Sequence, residues 1–366
     1  MAITKLLGFG HLVNSNAIGA VESGYGLALS ELAVTNCRHT TYAWAALLVN
    51  QGRMCYCRLA SPSGSYVALG IGYIPVTSFL NGVDPTKVKR FIMGFRLEQM
   101  QAVPNPFNMG FTLETPVSDN TGNAGYITGD PIAYTIPTSA VANVQYLEFV
   151  LDLANKKLET WADGRMLTSV TVADKYITGF ANLKFFMGSK GNNGASFPAG
   201  NNSDIIPLLY LDNMYALVDT GDVNDAQSGR LGNIIVDRVP VTAADGGWTP
   251  STGTALGVIN GSTTTLTNQT PNVASPGGLT PLELTLDLSA YNGRKLLGLH
   301  AAVTPFRAAA DTGTIDASWV TTDGEKNKAE VAPAVPATTS TTVLPKGVVP
   351  LANPPAGAVK LRLTPR

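Results

Sequence analysis

Gln145–Val172 reads QYLEFVLDLANKKLETWADGRMLTSVTV, and this stretch decides the fold class. Leu147, Phe149, Leu151 and Leu153 alternate with Glu148 and Asp152. A period of two places successive side chains on opposite faces of a strand. Ala154-Asn155-Lys156-Lys157 is a polar turn. In the next run Leu158, Thr160 and Ala162 share one face, and Glu159, Trp161 and Asp163 share the other. Asp163-Gly164 predicts a two-residue hairpin, because a type I′ turn needs positive φ at both central positions. Arg165–Val172 then returns. Three antiparallel strands joined by minimal turns predict an all-β sandwich.

Outward from this core, further strands are predicted at Thr40–Val49, Met54–Leu59, Tyr66–Ile74, Lys89–Gln99, Phe107–Glu114, within Ala124–Thr135, and at Leu183–Gly188 and Leu208–Val218. Lys89–Gln99 is dense in Phe, Ile and Met around Gly94, which suits a buried central strand. Phe107–Glu114 is expected to pair with it. Gly19, Gly24 and Gly26 keep any helix in Ala17–Leu32 short. Ser189–Asp204 reads as an exposed loop. Residues 1–218 thus form one unit, and the polar segment 219–230 is a linker. A smaller β-domain is expected over 231–328, with strands at Leu231–Val241, Leu282–Leu288, Lys295–Val303 and Ala317–Val320. Residues 329–366 are rich in Pro and Thr and predict an extended arm, with Val359–Leu363 as a terminal strand.

Composition narrows the function classes. The 366 residues are 45% hydrophobic and 14% charged, with 37 Gly and 23 Pro. Such a chain buries sizeable cores and turns often. The net charge is −1. Duplex nucleic acid requires a basic stripe to neutralise phosphates. The densest basic cluster, Lys87-Val88-Lys89-Arg90, reads instead as a solvated strand start. A weakly charged surface favours burial against other protein, because little desolvation opposes it. No apolar run reaches the ~20 residues of a membrane span. The start of the chain shows no export signal, which places its synthesis in the cytoplasm.

Candidate chemistry is sparse. Three cysteines, Cys37, Cys55 and Cys57, make no disulfide framework and no zinc spacing, and they read as small buried hydrophobes. His11, His39 and His300 stand apart, none with a second ligand at metal spacing. Asp219, Asp222 and Asp225 superficially suggest a Ca²⁺ loop, but its bidentate Glu is absent and a solvated linker is the better reading. Gly70-Ile71-Gly72 lies in a strand pattern, without the helix that a dinucleotide site needs. No metal, no cofactor and no catalytic residue is expected, and the chain is read as a protein that is not an enzyme. Glu148 and Asp152, at i and i+4, are the one carboxylate pair placed to share a strand face for glycoside cleavage. Their surroundings match an ordinary solvent face. Carbohydrate binding needs an exposed aromatic ring with short polar neighbours. Trp161, on the face of Glu159 and Asp163, is the candidate contact for a glycan or a protein partner.

LEFVLDLANKKLETWADGRML resembles the hairpin pair of concanavalin A-like (laminin-G-like) jelly rolls. Leu211-Asp212-Asn213-Met214-Tyr215, Leu231-Gly232 and Asp245-Gly246-Gly247-Trp248-Thr249-Pro250-Ser251 resemble the closing strand and junction of tailed-bacteriophage virion proteins built on that sandwich, as does the opening Met1-Ala2-Ile3 with Gly8-Phe9. The resemblance implies a jelly-roll sandwich followed by the smaller β-domain and arm. It implies a structural part of a phage particle in tail, baseplate or head surface, assembled in the host cytoplasm. Its partners would be other virion proteins and copies of itself. A receptor module that binds host surface glycan is the alternative, and a polysaccharide-cleaving enzyme a lesser one.

Overall fold

The computed structural model describes residues 1–7, 14–15, 47–50, 53–59, 72–80, 82–99, 107–114, 130–136, 144–188, 205–222, 229–237, 239–260, 273–299, 315–322, 324–332 and 358–365. The first strands are β1 (Ala2–Leu7), β2 (Asn14–Ser15), β3 (Leu47–Asn50), β4 (Arg53–Leu59), β5 (Gly72–Pro75), β6 (Arg90–Gln99) and β7 (Phe107–Thr112). Next come β8 (Ile132–Ile136), β9 (Val144–Asp152), β10 (Lys157–Ala162), β11 (Arg165–Thr171), β12 (Lys184–Gly188) and β13 (Ile205–Asp219). The C-terminal part holds β14 (Val241–Asp245), β15 (Thr249–Pro250), β16 (Val273–Ala274), β17 (Leu282–Leu286), β18 (Ile315–Thr321), β19 (Gly324–Ala332) and β20 (Val359–Pro365).

The protein is all-β, a jelly-roll sandwich followed along the chain by a further sheet. Among the described residues nine strands form the large sheet, in the order β11-β10-β9-β6-β13-β4-β3-β2, with β1 also on β13. A second sheet, β5-β12-β7-β8, packs on it. Every pairing among the described residues of both sheets is antiparallel, as in β9 with β10 and β6 with β13. Asp163 and Gly164 have φ of 47° and 80°, the positive pair that the hairpin turn requires.

The sandwich core is built from one face of each sheet. Phe91, Met93, Phe95 and Leu97 on β6 point inward with Leu147, Phe149 and Leu151 on β9. Phe185 on β12 meets them edge-on, with ring centroids 5.7 Å from Phe95 and 5.6 Å from Phe149. Full burial of each such ring contributes roughly 1.5–3 kcal/mol. β6 is a buried central strand, as its composition predicts. Its neighbours are β9 and β13, whereas β7 lies in the opposite sheet between β12 and β8. Phe107–Thr112 thus faces β6 across the core instead of pairing with it, and Met109 and Phe111 pack into that core.

A five-stranded sheet, β14-β17-β20-β18-β19, follows. One face carries Leu282, Leu284, Ala317, Trp319, Val359, Leu361 and Leu363 into a separate apolar cluster. Three sequence expectations change here. The terminal strand expected at Val359–Leu363 is present as β20, but it is the middle strand, bonded to β17 and β18, and residues 329–332 of the expected arm already belong to β19. Alternation of Val359, Leu361 and Leu363 with Lys360 and Arg362 makes it a half-buried strand despite the Pro-rich tract before it. Residues 231–236 form no strand of the second sheet. They lie as a strap on the large sheet of the sandwich, with Ile234 buried among Ile92, Tyr146, Val150, Tyr215 and Leu217. Lys295–Leu299 shows no strand beyond a single bridge at Leu299. The loop 189–204, the segment 17–32, His11, His39, His300, Cys37 and Asp225 lie outside the described residues.

Candidate functional site

Strand register lays out the outer face of the large sheet as rows that run across the strands. Directly opposed residues share a face. The first row is Thr171, Lys157, Asp152, Arg90 and Asp219, from β11 to β13. The second is Ser169, Glu159, Val150, Ile92 and Leu217. The third is Met166, Trp161, Glu148, Gly94 and Tyr215. Polar chemistry is concentrated in the first row, and the third is an aromatic and carboxylate row.

The strap closes the third row. Glu148 is buried, 1% exposed, and its carboxylate accepts from three donors. These are the Tyr215 hydroxyl, the Arg230 guanidinium at 2.5 Å and the Gly232 N–H at 2.9 Å. The Leu231 N–H donates to the Tyr215 oxygen at 3.1 Å. Burial, with the Glu148 carboxylate beside it, pushes the Tyr215 hydroxyl up, so it stays protonated and donating. The far end of the strap is held at Asn213. A register shift between Asp212 and Tyr215 bulges β13 there, and Asn213 adopts φ of 50°. Its side-chain oxygen accepts from the Val236 N–H at 3.0 Å, and its carbonyl accepts from the Tyr146 hydroxyl at 2.8 Å. The Asp-Asn pair in the quoted motif is therefore the bulge that ties down the strap.

The first row stays open. Arg90, Ile92, Val150, Asp152, Asn155, Lys157, Glu159, Gly229 and Arg230 line a depression of about 450 Å³. Ile92 and Val150 form an apolar floor. Arg90 donates to one Asp152 oxygen through Nε at 3.2 Å and Nη2 at 3.1 Å. Asn155 donates to both Asp152 oxygens, through its N–H at 2.9 Å and its side-chain amide at 3.0 Å. Burial raises the Asp152 carboxyl, but Asn155 and the Arg90 guanidinium outweigh it and hold the group below the usual carboxylate value. Lys157 is exposed and makes no ion pair among the described residues. The basic cluster at 87–90 is thus more than a solvated strand start, because Arg90 lines this depression.

Of the sequence candidates, Glu159 lines the depression and Trp161 stands beside it. Trp161 Nε1 donates to Glu159 at 3.0 Å, and the Arg230 guanidinium carbon lies 3.6 Å from the Trp161 ring centroid. One face of the ring is thereby covered, so Trp161 positions Arg230 and Glu159 and is not a bare platform. Asp163 sits at the hairpin turn and accepts from the Tyr146 N–H at 2.9 Å, away from the depression. Glu148 and Asp152 do share the outer face, but that face is no ordinary solvent face. Glu148 is sealed beneath the strap, and Asp152 alone reaches the opening. Sequence reasoning missed Arg90, Asn155, Lys157 and Arg230. The signal for Arg90 and Lys157 was the row register, which the hairpin turns fix, and for Asn155 its place in the polar turn after Asp152; for Arg230 there was none, since it reads as linker. Among the described residues no group of three or more His, Cys, Asp or Glu could hold a metal ion.

No family model matches the chain. No curated protein matches it either. Several solved structures resemble it. An alginate lyase variant solved with an alginate trisaccharide has a TM-score of 0.36 at 10% identity, over 60% of this chain and 99% of that one. An alginate lyase of polysaccharide lyase family 7 has a TM-score of 0.28 at 11% identity, over 49% of this chain and 86% of that one. A sialidase has a TM-score of 0.28 at 10% identity, over 48% of this chain and only 16% of the sialidase. At these scores the likeness brings no substrate and no residue role to this chain. The expectation that the chain is not an enzyme is nonetheless corrected. The similar structures named here are enzymes. None of them is a virion protein, and the resemblance to phage virion proteins gains no support from them.

Proposed function

We propose that the open row of the outer face binds a saccharide. The observation that carries this reading is the depression itself. Lys157, Arg90 and Asn155 supply donors, Asp152 and Glu159 supply acceptors, and Ile92 and Val150 supply an apolar floor. Sugars present adjacent hydroxyls that donate and accept together, above C–H faces that prefer apolar contact. Cation and carboxylate alternate along the first row, so the site offers both kinds of partner without a large excess of either charge. Arg90, Asn155 and Arg230 are already held by neighbouring groups, which lowers the entropy lost when a ligand orders them.

Titration calorimetry against neutral, amino and acidic polysaccharides tests the reading. One class binds the wild type, and Lys157→Ala and Glu159→Gln each weaken binding by about tenfold or more, which corresponds to ~1.4 kcal/mol. Silence across all three classes removes it.

A second reading is assembly into a tailed-phage particle, which the sequence resemblance implies. The exposed edge strand β11 favours it, since such an edge can accept a strand from a neighbour. Mass spectrometry of purified virions from producing cells would find the chain at a fixed copy number. Its absence from them ends this reading.

A further inference from the structure

We infer that two copies of this chain pair through β11, edge to edge and antiparallel, to continue the large sheet. β11 is the last strand of its sheet and bonds only to β10 among the described strands. All seven of its residues are exposed, Met166, Leu167 and Val170 among them. Natural edges are blunted by charge, proline or bulges. Here the register shift between Thr160 and Trp161 bulges the strand at Leu167, and Arg165 is its one charge. From Thr168 to Thr171 the strand is regular, uncharged and free of proline.

That segment is complementary to itself. Antiparallel pairing centred on Ser169 sets Thr168 opposite Val170 of the other copy and Leu167 opposite Thr171. These are β-branched and apolar pairs of the kind that stabilise sheets, with no like charges facing. A residue opposed to itself keeps the same face of both sheets on one side. The open rows of both copies therefore lie on one continuous surface, with Ser169 and Thr171 at the seam. Three strand spacings separate one Lys157 column from the other, about 14 Å. The pairing stands on the edge alone; only its consequence for ligand binding rests on the saccharide reading.

Sedimentation equilibrium of the full chain tests it, with two double variants at exposed positions. The wild type shows a concentration-dependent monomer–dimer equilibrium. Thr168→Lys with Val170→Lys opposes like charges across the seam and weakens the dimer by about tenfold or more. Thr168→Lys with Val170→Glu opposes unlike charges and restores it. A wild type that stays monomeric to its solubility limit overturns the inference. So does a dimer indifferent to the paired lysines, or a Lys/Glu variant as weak as the Lys/Lys one.

Discussion

The Tyr215 hydroxyl reaches the Glu148 carboxylate across Gly94, the residue that stands between them on the central strand. Nothing larger than glycine fits. A Cβ at Gly94 would lie 2.4 Å from Tyr215 Cε1 and 3.1 Å from Tyr146 Cε1. The two tyrosine rings lie nearly parallel over this gap, 13° apart. One missing side chain thereby lets a buried carboxylate gather its donors, and those donors carry the strap that bounds the open depression.

Gly94→Ala is expected to cost about 1–3 kcal/mol, because the tyrosine rings are fixed at both ends and cannot move aside cheaply. Urea unfolding would show the lowered midpoint. A variant as stable as the wild type would mean that the rings are free to shift and that the latch is loose.

Glu148→Gln keeps the shape but leaves the Arg230 charge without its carboxylate. Breaking such a pair costs about 3–5 kcal/mol when both groups are buried. Arg230 keeps 24% exposure, which places this case at the low end, near ~3 kcal/mol. The strap should loosen as well, opening the Arg230–Leu231 bond to trypsin. Unaltered cleavage kinetics at that bond would show that the strap is held by its apolar contacts instead.

Sequence made the sandwich legible where alternation and turn chemistry agree. Leu147 to Leu153 and the Asp163-Gly164 turn fix the β9–β10–β11 meander and, with it, the row that joins Lys157 to Asp152. What stayed hidden depends on long-range contacts. Glu148 reads as a solvent-face residue because a strap some 80 positions later covers it. Ile234 and Val236 read as strand because their hydrophobicity does not say which sheet they cover. Val359–Leu363 reads as a strand from its alternation, but its place in mid-sheet stays hidden because its partners β17 and β18 lie far back in the chain.

Acid should weaken the Arg90–Asp152 contact selectively. The Asp152 carboxyl is held below its ordinary value, so the contact stabilises the fold above the unfolded Asp value of ~3.9 and is lost as pH falls through the lower folded value. Glu283 behaves alike, since hydrogen bonds from Lys360 and Arg362 hold its carboxyl low. Asp152→Asn should therefore be less stable than the wild type near neutrality, with the gap closing below about pH 4. Urea midpoints across a pH series give the comparison, and a gap independent of pH would discard this account.

The last strand should behave as core and not as tail. Leu361 is buried against Trp319 and Leu284, while Arg362 faces outward to Glu283 at 2.6 Å. Leu361→Ala is expected to cost about 2–5 kcal/mol through lost burial and a cavity. Arg362→Ala should cost no more than about 1 kcal/mol, since its ion pair is partly exposed. Deletion of residues 359–366 goes further: β17 and β18 lose their shared neighbour, and the apolar face they carry is laid open. The truncated chain should bind a hydrophobic dye and yield 273–332 to protease while the sandwich resists. If it unfolds like the full-length chain and binds no dye, β20 is dispensable and the five-stranded sheet is held together from elsewhere.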